Sequence, residues 1–79
     1  RNLTLYMTEH CGLCEKVLEM LFNTPAMQGL GLKTVDIALD EALMELYGTK
    51  IPVLLMNGEE LSAPISAPQL ENWLRTHCK

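Results

Sequence analysis

Long hydrophobic runs and basic side chains are both scarce in this sequence of 79 residues. No stretch approaches the roughly 18 consecutive apolar residues that a membrane-spanning helix requires, so we expect no membrane partner. Six Lys and Arg residues against ten Asp and Glu residues give a formal net charge of −4 at pH 7. A nucleic-acid-binding surface needs a basic patch, and this balance does not supply one, so we expect no nucleic-acid partner either.

Cysteine is also scarce, since the sequence contains only Cys11, Cys14 and Cys78. Small secreted scaffolds use a dense and even set of cysteines, whereas a sparse and odd set is more typical of a reducing compartment. The start of the chain also shows no charged and then apolar signal segment. Both observations predict a cytoplasmic location. Cys78, second from the end, is interpreted as a free, incidental thiol.

Internal repeats and low-complexity segments are absent from the sequence. A chain of this length has room for one domain, so residues 1–79 are predicted to form a single domain. Apolar residues make up 48% of the chain and charged residues 20%, which is the balance of an ordinary globular protein. We expect this domain to be a monomer.

The first third of the chain predicts a strand followed by a helix. Residues 2–7 are apolar on both faces, which is typical of a strand inside a sheet. After them, apolar side chains recur at helical spacing and predict one buried stripe, formed by Cys14, Val17, Leu18, Leu21 and Phe22. Pro25 ends this helix, because the residue before a proline disfavours helical geometry. Residues 26–31 are predicted to form a loop.

The middle of the chain predicts a second strand and a short second helix. The β-branched run at residues 32–37 favours a strand. Asp40 is placed to cap a helix that Gly48 ends in a left-handed conformation. The side chains of this helix that we expect to face inward are Ala42, Leu43, Leu46 and Tyr47. A helix between two strands favours a parallel pair of strands.

The last third predicts two antiparallel strands and a final helix. Residues 51–56 form an apolar run, with Pro52 near its start because proline cannot donate to a strand ladder. Asn57-Gly58 is a hairpin signal that leads into residues 59–61, and Ser66 with Gln69 forms a capping box. The final helix is predicted to direct one side inward, consisting of Leu70, Trp73, Leu74 and His77. The predicted fold class is α/β, a four-stranded mixed sheet with three helices in the order β-α-β-α-β-β-α.

Cys11 and Cys14 lie where the first strand gives way to the first helix. At a helix start the backbone N–H groups lack partners and the dipole is positive, so a thiolate on Cys11 is stabilised there. Cys14 lies about one turn along the same face, close enough for a disulfide. His10 also favours the thiolate when it is protonated, and we place it among the residues that contact a substrate. This arrangement points to redox chemistry.

Metal binding is the alternative for the same two cysteines. A structural zinc site needs four ligands, and the other candidates in the chain are His10, His77 and Cys78. His10 adjoins Cys11, and the other two lie at the end of the last helix, so one chain supplies too few ligands. The alternative is therefore a module that holds a metal ion or an iron–sulfur cluster between two chains. The redox interpretation predicts no metal ligand.

Three segments of the sequence resemble the glutaredoxin-like branch of the thioredoxin superfamily. They are Leu5-Tyr6 followed by Cys11-Gly12-Leu13-Cys14, then Val35-Asp36-Ile37, then Tyr47-Gly48-Thr49-Lys50-Ile51-Pro52-Val53. The paired cysteines alone are a weak signal, and the proline downstream makes the resemblance specific. It covers essentially the whole chain and implies a thioredoxin-like fold of the glutaredoxin type with thiol-disulfide oxidoreductase activity.

The resemblance also implies a role for individual residues. Cys11 is the exposed nucleophile that attacks a substrate disulfide, and Cys14 resolves the mixed disulfide. Pro52 is a cis proline that faces the pair and leaves the backbone of Ile51 free to pair with an extended substrate. Apart from the resemblance, the position of Ser66 at a helix N-terminus predicts that it caps the helix and that this helix end holds a substrate carboxylate. The implied partners are a protein disulfide or a low-molecular-weight thiol, together with a separate reductant.

The sequence departs from the glutathione-using members of that family in three places. They carry Lys where this chain has Thr8, and many carry Pro-Tyr where it has Gly12-Leu13. They also carry Gly-Gly and Asp before the last helix, where this chain has Leu61-Ser62-Ala63-Pro64-Ile65-Ser66. We therefore expect no tightly bound cofactor, and these departures weaken the assignment of glutathione as the reacting thiol.

Overall fold

The computed structural model describes residues 2–77. The elements are β1 (Asn2–Met7), α1 (Gly12–Phe22), β2 (Gly31–Asp36), α2 (Glu41–Tyr47), β3 (Val53–Met56), β4 (Glu59–Ser62) and α3 (Ala67–His77). Two short 3₁₀ helices, Pro25–Met27 and Ile37–Leu39, lie in the connections on either side of β2. The order of strands and helices is the predicted one, so the α/β fold class is confirmed. No helix in this part of the chain is long and apolar enough to span a membrane.

The four strands form one mixed sheet in the order β2-β1-β3-β4. β1 is parallel to β2 and antiparallel to β3, and β3 is antiparallel to β4. The register pairs Met7 with Asp36, Tyr6 with Val53, and Val53 with Ser62. The chain therefore leaves β1, β2 and β4 and enters β3 at one end of the sheet, which we call the cysteine end because Cys11 follows β1 there.

The opposite end of the sheet is the hairpin end, formed by the turn between β3 and β4. Asn57 and Gly58 both have positive φ, 52° and 81°, as a two-residue turn with φ > 0 at both central positions requires. Met56 pairs with Glu59 directly across this turn. The predicted hairpin is confirmed.

Helices α1 and α3 cover one face of the sheet and build the core with it. The buried cluster consists of Leu3, Leu5, Val17, Leu21, Leu54, Met56, Leu70 and Leu74. The inward stripe predicted for α1 is confirmed except at its end, because Phe22 is 75% exposed. Phe22 is the last residue of α1, and the buried stripe ends one position earlier, at Leu21.

Helix α2 corrects the inward face predicted for it at two positions, because Ala42 and Leu46 are both exposed. Leu46, expected to face inward, is 60% exposed, and no residue of this seven-residue helix is fully buried. The helix contacts the other face of the sheet mainly through Tyr47, whose ring stacks on Tyr6 with centroids 4.6 Å apart. Asp40 caps the helix as predicted, since its Oδ1 accepts hydrogen bonds from the backbone N–H groups of Ala42 and Leu43.

Gly48 ends α2 as predicted, but its backbone conformation is not the predicted left-handed one. Gly48 has φ −53° and ψ −32°, which is right-handed rather than left-handed geometry. A Cβ at this position would lie 2.5 Å from the carbonyl oxygen of Met44. Glycine is therefore required here for space and not for a positive φ.

Three strands begin or end one or two residues away from their predicted bounds, and β4 is one of them because it extends by one residue to Ser62. β2 stops at Asp36 because the Asp36 carboxylate accepts a hydrogen bond from Ala38 and starts a 3₁₀ helix at Ile37. β3 begins at Val53 rather than Ile51, since Pro52 has no N–H for the ladder. These shifts leave the predicted topology unchanged.

Candidate functional site

Cys11 occupies the position before the first turn of α1. Its backbone is extended, with φ −99° and ψ 104°, and its Sγ accepts a hydrogen bond of 3.1 Å from the backbone N–H of Cys14. Its carbonyl oxygen accepts from the N–H of Glu15. The sulfur therefore lies against the unpartnered N–H groups and the positive dipole end of α1, both of which favour negative charge on sulfur.

The two cysteine sulfurs are joined in a disulfide. The Cα atoms of Cys11 and Cys14 are 5.2 Å apart, within the usual range for a disulfide. Cys14 is completely buried, whereas Cys11 is partly exposed. A second molecule can therefore approach Cys11, while the protein covers Cys14.

His10 lies in the turn between β1 and α1. It is exposed and has a positive φ of 59°, which is uncommon for a residue other than glycine. Its ring makes no hydrogen bond to any residue between Asn2 and His77. A role for His10 in tuning Cys11 or contacting a substrate therefore stays a prediction.

Pro52 and Ile51 lie at the cysteine end, immediately before β3. Pro52 is buried, and its peptide bond with Ile51 is cis, as is the bond between Ala63 and Pro64. The N–H of Ile51 donates to the carbonyl oxygen of Tyr47 at 3.1 Å. This corrects the prediction that the Ile51 backbone is free, because only its carbonyl oxygen is available to accept a bond from an incoming chain.

A groove of about 500 Å³ lies beside the disulfide. Its walls include Leu13, Val17 and Met20 of α1, then Pro52, then Pro64 and Ile65 from the connection between β4 and α3. Leu13 lies between the two cysteines in the sequence and Pro52 lies at the cysteine end, so the groove reaches the end of the sheet that holds the redox pair, although neither cysteine lines it. Of the predicted substrate-binding residues, the structure brings Pro52 into this groove, while Ile51, His10 and Ser66 do not line it.

Sequence reasoning missed the groove because its walls come from distant segments. Met20 belongs to α1, Pro52 precedes β3, and Pro64 and Ile65 lie between β4 and α3. One signal was present in the sequence: Ala63, Pro64 and Ile65 belong to the segment Leu61-Ser62-Ala63-Pro64-Ile65-Ser66, one of the places where the sequence departs from the glutathione-using pattern.

Ser66 forms the capping box predicted for α3. Its backbone N–H donates to Oε1 of Gln69 at 3.3 Å, and its Oγ accepts from the N–H of Gln69 at 3.2 Å. These bonds occupy the N–H groups of Ser66 and Gln69, which are donors that a substrate carboxylate would use at this helix end. Carboxylate binding by Ser66 stays a prediction.

The metal alternative meets a geometric obstacle within one chain. The side-chain Nδ2 of Asn57 donates to the carbonyl oxygen of His77 at 2.9 Å, which places His77 at the hairpin end, opposite Cys11. Between Asn2 and His77, no group of three or more Cys, His, Asp or Glu residues is arranged to hold a metal ion. Cys78, the other candidate ligand, lies outside the described residues. A site shared between two chains stays a prediction.

Comparison with known families decides the relationship that the sequence suggested. The family model for the Glutaredoxin-like domain matches residues 2–75, nearly the whole chain. The chain belongs to the glutaredoxin-like family. The comparison of this glutaredoxin-like chain with curated proteins finds no match.

Solved structures agree with this assignment. The X-ray structure of a Northeast Structural Genomics target protein from X. campestris has 37% sequence identity and a TM-score of 0.82, over 94% of this chain and 96% of that one. The solution structure of the same protein gives 40% identity and a TM-score of 0.79, over 94% and 92%. A thioredoxin from Malassezia sympodialis has 19% identity and a TM-score of 0.65, over 99% of the glutaredoxin-like chain and 75% of its own. The last similarity establishes the thioredoxin-like fold.

Proposed function

We propose that this glutaredoxin-like protein is a thiol-disulfide oxidoreductase in which Cys11 is the nucleophile and Cys14 the resolving thiol. The observation that carries the proposal is the contrast between the two sulfur positions. Cys11 is partly exposed and accepts an N–H bond at the start of α1, whereas Cys14 is completely buried behind it. Family membership supports the same chemistry.

The cycle begins with the reduced pair. The Cys11 thiolate attacks one sulfur of a substrate disulfide, breaks the S–S bond and releases the other half of the substrate as a thiolate, which takes up a proton. The Cys14 thiolate then attacks Cys11 Sγ in the mixed disulfide and releases the second substrate thiol. Two electrons have passed to the substrate, and the Cys11–Cys14 disulfide remains. A separate dithiol or thiol reductant restores the starting state.

Helix α1 contributes to this cycle in two ways. Its dipole stabilises an exposed negative charge at the N-terminus by about 0.3–1 kcal/mol. The N–H of Cys14 adds a hydrogen bond to the same sulfur. A better-stabilised Cys11 thiolate is present in a larger fraction of the reduced molecules, which favours the first attack; when Cys14 then attacks Cys11 Sγ, the leaving group is the substrate thiolate.

The proposed partners are protein disulfides or low-molecular-weight disulfides, with a separate reductant. Cys11 lies at the cysteine end beside buried Pro52, and the carbonyl oxygen of Ile51 is available there to accept a backbone hydrogen bond from an extended substrate. A cytoplasmic location, as the sequence predicts, would supply the reducing thiols that this cycle needs.

Single-cysteine variants test the two roles, and all of them should carry Cys78→Ser so that only the pair contributes thiols. We expect Cys11→Ser to lose reductase activity towards a disulfide substrate. We expect Cys14→Ser to keep the attack but accumulate a mixed disulfide with the substrate, visible by intact mass. The Cys78→Ser protein itself is the control and should turn over normally.

Two results would contradict the assignment. Wild-type activity in Cys11→Ser would remove Cys11 as the nucleophile. The absence of a mixed disulfide in Cys14→Ser, with glutathione disulfide and with protein disulfides alike, would remove Cys14 as the resolving thiol.

A further inference from the structure

The groove reaches the cysteine end of the molecule through Leu13 and Pro52, although neither cysteine lines it. Leu13, between the cysteines, forms one wall, and buried Pro52 forms part of the floor. A substrate whose sulfur reaches Cys11 therefore brings its neighbouring groups over these side chains. What those side chains can bind decides which disulfides react well.

The walls of the groove are mostly apolar. Leu13 is 60% exposed, and Val17, Met20, Pro64 and Ile65 continue the apolar surface away from it. An exposed leucine next to a concave apolar surface gains free energy when another apolar group covers it.

Polar groups in the groove lie mainly at the end of α1, and two of them are already bonded. The hydroxyl of Thr24 donates to the carbonyl oxygen of Met20 at 2.6 Å, and the amide of Asn23 donates to that of Glu19 at 3.1 Å. The charged groups that line the groove are Lys16 and Glu19. One cation beside one carboxylate leaves the groove without a net positive charge.

Glutathione fits this groove poorly. It carries two carboxylates and one ammonium group at neutral pH, so a site for it needs cationic or N–H groups placed for each carboxylate. Here a single lysine lines the groove together with a competing carboxylate, and the N–H groups of Ser66 and Gln69 at the nearby helix start already donate within the capping box. An apolar side chain of a protein substrate carries no carboxylate and therefore needs no cationic or N–H partner in the groove.

We infer that the groove selects protein disulfides in which an apolar side chain flanks the reacting cysteine, and that Leu13 and Met20 are specificity-determining residues. The inference rests on the proposed exchange reaction at Cys11. The reaction itself is unchanged: the Cys11 thiolate displaces one substrate thiolate, while the apolar neighbour of the attacked cysteine lies against Leu13 and Met20.

Two matched peptide disulfides test the selection. Each is a symmetrical disulfide of a capped tetrapeptide, with Leu beside the cysteine in one and Ser in the other. Reduced Cys78→Ser protein is mixed with each peptide or with glutathione disulfide, and second-order rate constants are taken from the thiol released. Covering a leucine in part should make the Leu peptide react roughly five- to tenfold faster than the Ser peptide.

Variants on two exposed leucines separate the groove from the general surface. Leu13→Gln should bring the Leu-to-Ser rate ratio close to one. Leu46→Gln, at an equally exposed leucine on α2 outside the groove, should leave the ratio unchanged. Because the same thiolate attacks both peptides, a changed reactivity of Cys11 in Leu13→Gln cancels from the ratio. Met20→Gln is the second groove variant and should also lower it.

The outcomes distinguish this inference from the function on which it rests. Equal rates for the two peptides, a ratio unaffected by both groove variants, or faster reaction with glutathione disulfide than with the Leu peptide would overturn the selectivity while leaving Cys11 as the nucleophile. Equal reduction of both peptides by Cys11→Ser and by its parent would instead overturn the exchange reaction, and the selectivity with it.

Discussion

Single residues in this protein owe their properties to neighbours that the sequence places far away. Tyr47 is an example, because its ring stacks on Tyr6 of β1 and its hydroxyl donates a hydrogen bond of 2.5 Å to Glu60 of β4. This bond to a carboxylate, together with burial and the negative charge of Glu60, raises the pKa of Tyr47 to about 12. The contact joins α2 to the far strand of the sheet, just before the chain reaches Pro52.

Tyr47→Phe should remove that contact and its pH dependence. We expect unfolding free energy to fall by about 0.5–1 kcal/mol below pH 10, since the bond involves an exposed carboxylate. The folded pKa lies above the ordinary value of 10.0, so the contribution is complete below pH 10 and is lost as the pH rises towards 12. Denaturant unfolding of both proteins across this range measures the difference.

The matched control for this prediction is Glu60→Gln, which keeps an acceptor but removes the charge. It should return the tyrosinate absorbance titration of Tyr47 towards the ordinary pH. A difference between wild type and Tyr47→Phe that stays constant up to pH 12 would contradict the assigned cause.

At the scale of the element, the helix caps and the hairpin turn form as the sequence predicts. One residue, Gly48, ends its helix as predicted but for a different physical reason. Asp40 and Ser66 cap α2 and α3, and Asn57-Gly58 turns between β3 and β4. Gly48 also ends α2, but in right-handed geometry, where its lack of a side chain leaves room for the carbonyl of Met44. Whether a right-handed glycine has space for a Cβ decides whether substitution by alanine lowers or raises the stability of the protein.

Gly48→Ala should destabilise the protein by about 1–3 kcal/mol, because the new methyl group overlaps a backbone oxygen that cannot move without disturbing α2. A right-handed glycine with open space would instead gain about 0.4–1 kcal/mol from alanine. Gly12→Ala is the control, since no atom lies within 4 Å of a Cβ there. Thermal and denaturant unfolding of the two variants should shift in opposite directions; a stabilised Gly48→Ala would show that the overlap relaxes freely.

At the scale of the whole molecule, the sheet topology separates the redox pair from His77, which was a candidate metal ligand. Cys11 follows β1 at the cysteine end, while α3 runs towards the hairpin end, where His77 bonds to Asn57. The same topology brings α1 beside the connections before β3 and after β4, and these segments line the groove. Redox pair and groove therefore depend on one core, in which Leu54 of the central strand β3 is completely buried.

Leu54→Ala should cost about 2–5 kcal/mol, a large part of the stability of a domain this small. Leu46→Ala, at a leucine 60% exposed, should change stability by less than about 0.5 kcal/mol. Circular dichroism and Trp73 fluorescence during denaturation report on the sheet and on α3. Coincident transitions at a lower midpoint are expected for Leu54→Ala; a small effect equal to that of Leu46→Ala would contradict the single core.

The order of elements, the hairpin, both helix caps and the place of Cys11 at a helix start could be predicted from the sequence. Each depends on residues close together in the chain, through side-chain periodicity, turn geometry or a cap three residues away. The cysteine spacing at a helix start likewise favoured the redox interpretation, and Pro52 made the resemblance to the family specific.

Only the tertiary structure decided the exposure of side chains such as Leu46 and which residues line the groove at the cysteine end. Leu46 has the same helical spacing as a core residue, yet α2 contacts the sheet through Tyr47 and leaves Leu46 in water. The N–H of Ile51 is bonded to Tyr47, and the groove joins Leu13 and Met20 to Ile65, more than forty positions along the chain. Such contacts depend on how helices and connections pack on a common sheet, and local sequence patterns carry no record of that packing.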